Sequence, residues 1–321
     1  MRSYLCNKVH VPFSIDGDLS KPVWEAAPWT DDFVDIEGDV RPKPRFRTRA
    51  KMLWDERCLY VAAYLDEPHV WATLTEHDSV IFHDNDFELF LDPDGDNHLY
   101  AELEINALNT TWDMLMVKPY RDGGPPVAGW EIHGMQTAVR IDGTLNDPSD
   151  EDKGWSVEIA LPWKALSEIS GTQPCPPKAG NQMRINFSRV EWHTTIENGK
   201  YVKVPKTPED NWVWSPQGVI DMHRPEHFGV IQFADGPAEI KPYQGVAERE
   251  ALMRVYYAQR NYREAHGHWA GHVSKLDLSI PGLELFATPT DFEAVLGEWH
   301  VDAKSRLWKG DFAPAGRPTW D

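Results

Sequence analysis

Across residues 10–235, apolar and polar positions alternate in short runs broken by turn residues. That period-2 pattern is the signature of strands half-buried in a sheet. Lys51–Leu65 is two apolar runs around Asp55-Glu56-Arg57, which predicts a hairpin. Phe87–Leu91 stops at Asp92-Pro93-Asp94-Gly95, a turn sequence. Leu99–Asn106 alternates, with Glu102, Glu104 and Asn106 on one side and Leu103 and Ile105 on the other. Trp155–Leu161 and Arg184–Val190 alternate as well, the second setting Arg184, Asn186 and Ser188 on one face. His227–Phe233 predicts a closing strand, and helix is confined to Lys21–Ala27 and Trp163–Ile169. Many short strands with little helix predict a mainly β protein, an antiparallel, jelly-roll-like β-sandwich.

The pattern changes after Asp235-Gly236-Pro237. Leu252, Val255, Tyr256, Gln259 and Tyr262 recur at helical spacing, so 248–266 is expected to be an amphipathic helix with Gly267 as its C-cap. Phe292–Leu296 and Trp299–Trp308, the latter turning at Lys304-Ser305, predict short strands. The chain thus divides into a sandwich at 1–236 and a small α+β extension at 237–321. Such an extension suits covering a sheet edge or face, and equally self-association or docking of a partner.

Charge narrows the partners. The chain carries 51 acidic and 32 basic side chains, a formal net charge of −19. That opposes a nucleic-acid footprint and docking on an anionic membrane. Three dispersed cysteines (Cys6, Cys58, Cys175) make no disulfide framework, and no apolar run is long enough for a membrane helix. MRSYLCNKVHVPF lacks the apolar core of a signal peptide, so the chain reads as cytoplasmic, or as the mature form of a secreted or periplasmic protein.

The acidic excess is concentrated. Glu76 to Glu104 holds ten carboxylates and no Lys or Arg. Within it Asp84, Asp86, Asp92, Asp94 and Asp96 cluster near turns, a hard-oxygen set suited to calcium, or else a polar hairpin turn. Glu88 and Glu104 both point away from the apolar positions of their strands. If those strands are neighbours, the pair either accepts hydrogen bonds from ligand hydroxyls, pairs with Arg184, or acts as a glycosidase acid/base couple, which needs about 5–5.5 Å for retention. Trp212 and Trp214 alternate on one strand and suit either a stacking platform or a core layer. No nucleophile elbow, P-loop or dinucleotide fingerprint is present.

Ile15-Asp16-Gly17 through Trp24, the segment DNDFELFLD at 84–92, GWSVEIALPW at 154–163 and WSPQGVIDMHRPEHFGVIQF at 214–233 together resemble the family 9 carbohydrate-binding modules. The resemblance covers about residues 12–233. It implies a β-sandwich that binds sugar between two stacked Trp rings, without covalent chemistry, with structural calcium in some members. Carried onto this chain, the ring positions fall on Phe82 and Met222, flanked by His83 and His223. A polar contact is kept as Glu88, and a basic one is replaced by Glu104. Asn106, Arg184 and Trp212 complete the expected carbohydrate-binding set. The alternative is a glycoside hydrolase or lyase using Glu88 and Glu104.

Overall fold

The computed structural model describes residues 1–310, so 311–321 of the expected extension lie outside the described residues. The first strands are β1 (Ser3–Lys8), β2 (Val34–Asp35), β3 (Thr48–Trp54), β4 (Cys58–Asp66), β5 (Asp86–Asp92) and β6 (Tyr100–Asn106). Next come β7 (Thr111–Met116), β8 (Pro126–Val127), β9 (Gln136–Asp142), β10 (Gly154–Pro162) and β11 (Gln182–Glu191). β12 (Thr194–Glu197), β13 (Lys200–Lys203), β14 (Asp210–Val213) and β15 (Gly229–Ala234) complete this part. Two short helices, α1 (Pro22–Glu25) and α2 (Trp163–Leu166), match the expected helical turns.

All but β12 and β13 of these strands join one curved sheet in the order β8-β7-β6-β5-β11-β15-β1-β3-β4-β10-β9, with β14 on β11 and β2 on β14. The two arms curl into a half-barrel around one apolar core that takes Phe87 and Leu89 from one arm and Val61 and Ile159 from the other. The expected sandwich is present with one difference. β1 pairs in parallel with both β15 and β3, so the arms are one mixed sheet rather than two antiparallel ones. The cause is the long connection from β1 to β3, which allows a strand to be inserted between two others without a hairpin.

The Ile15–Trp24 motif is a joint. The buried Glu158 carboxylate on β10 accepts from the backbone N–H groups of Asp16 and Gly17, from Trp24 Nε1 and from Lys21 Nζ, all at 2.7–2.9 Å. Gly17 sits at φ +80°, and a Cβ there would come within 3.0 Å of the β9 backbone. These residues therefore hold an N-terminal loop against the sheet.

After the sandwich, α3 (Val246–His266) ends at Gly267, whose left-handed N–H returns to the Arg263 carbonyl, as the sequence pattern predicts. It packs on a four-stranded sheet of β16 (Leu283–Ala287), β17 (Phe292–Leu296), β18 (Trp299–Asp302) and β19 (Leu307–Lys309). Leu252, Val255 and Tyr256 enter this unit's own apolar cluster.

The extension docks on the turn after β5. Asn97 donates to the Ser305 carbonyl, Leu307 N–H to the Asp96 carbonyl, and Arg306 pairs with the Asp96 carboxylate at 3.0 Å. Gly95 at φ +69° has room for no side chain, because a Cβ would lie 2.1 Å from Tyr243 Oη. Gly95→Ala is expected to cost about 1–3 kcal/mol through left-handed strain and displacement of Tyr243. The check is a urea melt combined with limited proteolysis of 236–245, which should accelerate if the joint loosens.

Candidate ligand-binding site

The outer face of the β11-β5-β6-β7 arm carries the polar positions of the alternating strands. Register decides what meets. Ser188 lies opposite Glu88, Glu88 opposite Glu104, and Glu104 opposite Trp112, giving one row across four strands. The adjacent row runs Asn186, Phe90, Glu102, Met114. The expectation that Glu88 and Glu104 share a sheet surface is met because β5 and β6 are hairpin partners in that register.

Above the two rows is a cavity of about 410 Å³. Phe82, Glu88, Glu104, Met222 and His223 from the expected set line it, together with Glu102, Trp112, Tyr120, Glu209 and Asn211. Phe82 is positioned by its own backbone N–H, which donates to Glu104 Oε2 at 2.8 Å, and by its carbonyl, which accepts from Trp192 Nε1 at 2.9 Å. His223 stands edge-on to the Tyr120 ring at 4.4 Å, and its Nδ1 lies 3.0 Å from Tyr100 Oη. Burial and the nearby Arg121 push the His223 pKa down to about 4, so the imidazole is neutral at physiological pH.

The carboxylates of the floor are buried without basic partners: among the described residues, no Lys or Arg forms an ion pair with Asp86, Glu88, Glu102 or Glu104. Burial lifts the Glu88 pKa to about 7, with the nearby Ser188 hydroxyl opposing the rise and Glu209 adding to it. Burial followed by the neighbouring Glu88 raises Glu102, and burial followed by Glu88, Asp86 and Glu102 raises Glu104, both well above the ordinary range. A cluster of this kind holds protons at neutral pH. Its carboxyls then donate as well as accept. Glu102 Oε2 is buried and has no protein partner.

Other expected residues are elsewhere. Arg184 shares its strand's outer face but is four positions from Ser188 toward the opposite end, opposite Asp92 and buried against the extension. It donates to the Pro225 carbonyl at 2.8 Å and lies over the Tyr243 ring, so it pairs with neither Glu88 nor Glu104. Asn106 Nδ2 donates to the Leu74 carbonyl and to Asp84, fixing the 73–84 loop. Trp212 is no platform. Both it and Trp214 are buried in the main core, and the Arg45 and Arg189 guanidinium groups lie within 5.5 Å of the Trp212 ring centre. His83 is exposed at the rim, edge-on to Phe82.

The five aspartates expected to bind calcium separate into two places at opposite ends of β5. Asp84 oxygens already accept from Thr73 N and Oγ1, Leu74 N and Asn106. Asp92 accepts from the N–H groups of Gly95 and Asn97, and Asp96 holds His98 N–H and Arg306. The Asp92–Asp96 turn is thus organised by its own hydrogen bonds and by the extension, although oxygens of Asp92, Asp94 and Asp96 lie within 4.8 Å of one another. Asp86 is different: its Oδ2 is buried and unpartnered, and it groups with Glu88 and Glu104 within the same distance.

Trp112 and Tyr120 line the cavity outside the expected set, and only Trp112 was legible. Thr111–Met116 alternates Trp112, Met114 and Met116, and its hairpin register with Leu99–Asn106 brings Trp112 beside Glu104. Tyr120 reaches the cavity from a loop, for which periodicity offers no signal.

A family model described as carbohydrate family 9 binding domain-like matches residues 15–213. The chain belongs to that family. The match contains all four strands of the cavity floor and Phe82, and stops short of Met222, His223 and the extension. Among solved structures, a family 9 carbohydrate-binding module from Caldicellulosiruptor kristjanssonii in complex with cellotriose is 17% identical, covering 75% of this chain and 100% of its own, with a TM-score of 0.47. A protein from Bacteroides uniformis ATCC 8492 proposed to bind carbohydrate is 18% identical, covering 72% of this chain and 99% of its own, with a TM-score of 0.53. The second likeness is one of fold. No curated protein matches the chain.

Proposed function

We propose that the protein binds a carbohydrate, without covalent chemistry, in the cavity over the Glu88–Glu104–Trp112 row. The observation that carries this reading is the composition of that cavity. Phe82, Trp112 and Tyr120 offer ring faces and edges to the C–H surfaces of a pyranose, while Glu88, Glu102, Glu104, Asn211 and His223 offer donors and acceptors to its hydroxyls. The volume suits a small ligand or one end of a chain. Family membership supports the same reading, and Trp112 takes the stacking part that Met222 lacks.

Trp112→Ala is expected to weaken binding of an oligosaccharide identified on a glycan array by at least about tenfold, or 1.4 kcal/mol. The melting temperature should change little, because the ring is only half-buried. Unchanged affinity in both Trp112→Ala and Phe82→Ala would remove the cavity from consideration.

Hydrolysis is the second reading, favoured by one observation. Oxygens of Glu88 and Glu104 lie within 4.8 Å of one another, near the separation of a retaining pair. Release of reducing ends from an oligosaccharide, abolished in Glu88→Gln, would decide for it; sugar binding without product decides against it. Protons neutralise the buried carboxylates in the binding reading. Calcium is the competing neutraliser, and Asp86, Glu88 and Glu104 are the residues that would hold it. A calcium-dependent rise in melting temperature at pH 8, lost in Glu88→Gln, would favour the ion.

A further inference from the structure

On the same edge of the sheet, but on the side of β7 away from the cavity, four side chains from three segments converge. His77 and Asp78 come from the loop before β5, Asp113 from β7, and Glu131 from the loop after β8. One ligand atom of each lies within 4.8 Å of all the others. His77 Nδ1 is 2.9 Å from the Thr111 carbonyl oxygen, which can only accept, so Nδ1 carries a proton and the ring is fixed. Its Nε2 then faces carboxylates, 3.2 Å from Glu131 Oε1 and 3.4 Å from Asp78 Oδ1.

Two features of this group point to a ligand. Asp113 is 1% exposed; its Oδ2 accepts from Ile132 N–H, and its Oδ1 has no partner. A buried carboxylate oxygen without a donor is costly unless a cation meets it. Among the described residues, no Lys or Arg pairs with Asp78, Asp113 or Glu131, leaving one imidazole against three carboxylates. The spacing is the second feature. Donors about 2.1 Å from a tetrahedral ion stand about 3.4 Å from each other, which is the separation of Nε2 from Asp78 and Glu131.

We propose that His77, Asp78, Asp113 and Glu131 form a site for a divalent transition-metal ion. The imidazole selects zinc-like ions over calcium, and the Thr111 carbonyl on Nδ1 is the outer contact that orients such a ligand. The bound ion ties the loop before β5 and the loop after β8 to strand β7, whose opposite side bears Trp112. The site is therefore a clip on the wall of the cavity, with no part in contacting a sugar.

The test is calorimetric titration of the chelator-treated full-length protein with zinc at pH 7.5, with calcium as the comparison, alongside thermal melts. One zinc per chain is expected, with a higher melting temperature and no competition from calcium. His77→Ala, at an exposed position, and Asp113→Asn, which keeps an acceptor for Ile132 N–H, should each weaken zinc at least tenfold. Absence of zinc binding, or equal affinity in wild type and His77→Ala, would overturn the site. In that case His77 is an imidazolium held by its carboxylates, and its replacement lowers stability with or without zinc.

Discussion

Replacing Glu88 and Glu104 together by Gln is expected to stabilise the protein by several kcal/mol at pH 8 and by much less at pH 5. The reason is their burial without basic partners. Glu88 rises from an ordinary value near 4.5 to about 7 on folding, and Glu104 rises well above its ordinary value, burial being the leading cause for both. A carboxyl whose pKa rises on folding supports the fold fully below its unfolded value and loses that support as pH climbs through the folded one. For Glu88 this amounts to about 3 kcal/mol by pH 8, at about 1.4 kcal/mol per pKa unit. His223 and His227, both pushed down to about 4 with burial the leading cause, act in the opposite sense, withdrawing stability as pH falls below about 6.5. The informative quantity is therefore the difference between double variant and wild type, measured by urea unfolding in chelator across pH 5–8. An amide at position 104 still accepts from Phe82 N–H, so the loop should hold. A difference independent of pH would show that the row is neutralised some other way.

Asp122→Ala should be the most damaging single change at the joint between sandwich and extension, at about 3–5 kcal/mol. Its carboxylate is fully buried and accepts from Tyr256 Oη at 2.5 Å and Ser305 Oγ at 2.6 Å, with Arg260 Nη1 at 3.2 Å. Truncation leaves the buried Tyr256 and Ser305 hydroxyls without their acceptor and removes the partner of the part-exposed Arg260 guanidinium. Beside it, Glu226 binds Arg121 at 2.9 Å and Tyr257, and its pKa falls to about 2 despite burial because Arg121 and then His227 favour the charge. Arg121 in turn donates to the His223 carbonyl at 3.0 Å, which links the joint to the roof of the cavity. Protease sensitivity between 236 and 245 should rise in the variant, and a two-stage melt would show the extension leaving first. An unchanged melt would mean that the Asp92–His98 turn alone carries the docking.

Legibility followed periodicity. Alternation located β5, β6, β10 and β11 to within a residue or two, and helical spacing found α3 with its glycine stop. It also put Glu88 and Glu104 on the polar side. What the alternation could not convey was pairing across long separations. β1, which precedes the span that alternation marked as strands, closes the sheet in parallel against β15, more than two hundred residues away. Arg184 lies on the expected face, yet three residues of strand separate it from the row of Glu88, enough to place it under the extension instead. The acidic turn after β5 looked like an ion site because its socket role depends on residues near 305. Trp212 shows the complementary limit: period 2 assigns a face, and only packing reveals that this face is the core.

The most direct test is a structure of the protein with an oligosaccharide that binds it. The sugar should lie over the Glu88–Glu104–Trp112 row, with a ring face against Trp112 or Phe82 and hydroxyls within hydrogen-bond distance of Glu102 or Glu104. A sugar seated elsewhere, such as the cavity of about 630 Å³ lined by Arg184, Arg224 and Arg249 between sandwich and extension, would contradict the account.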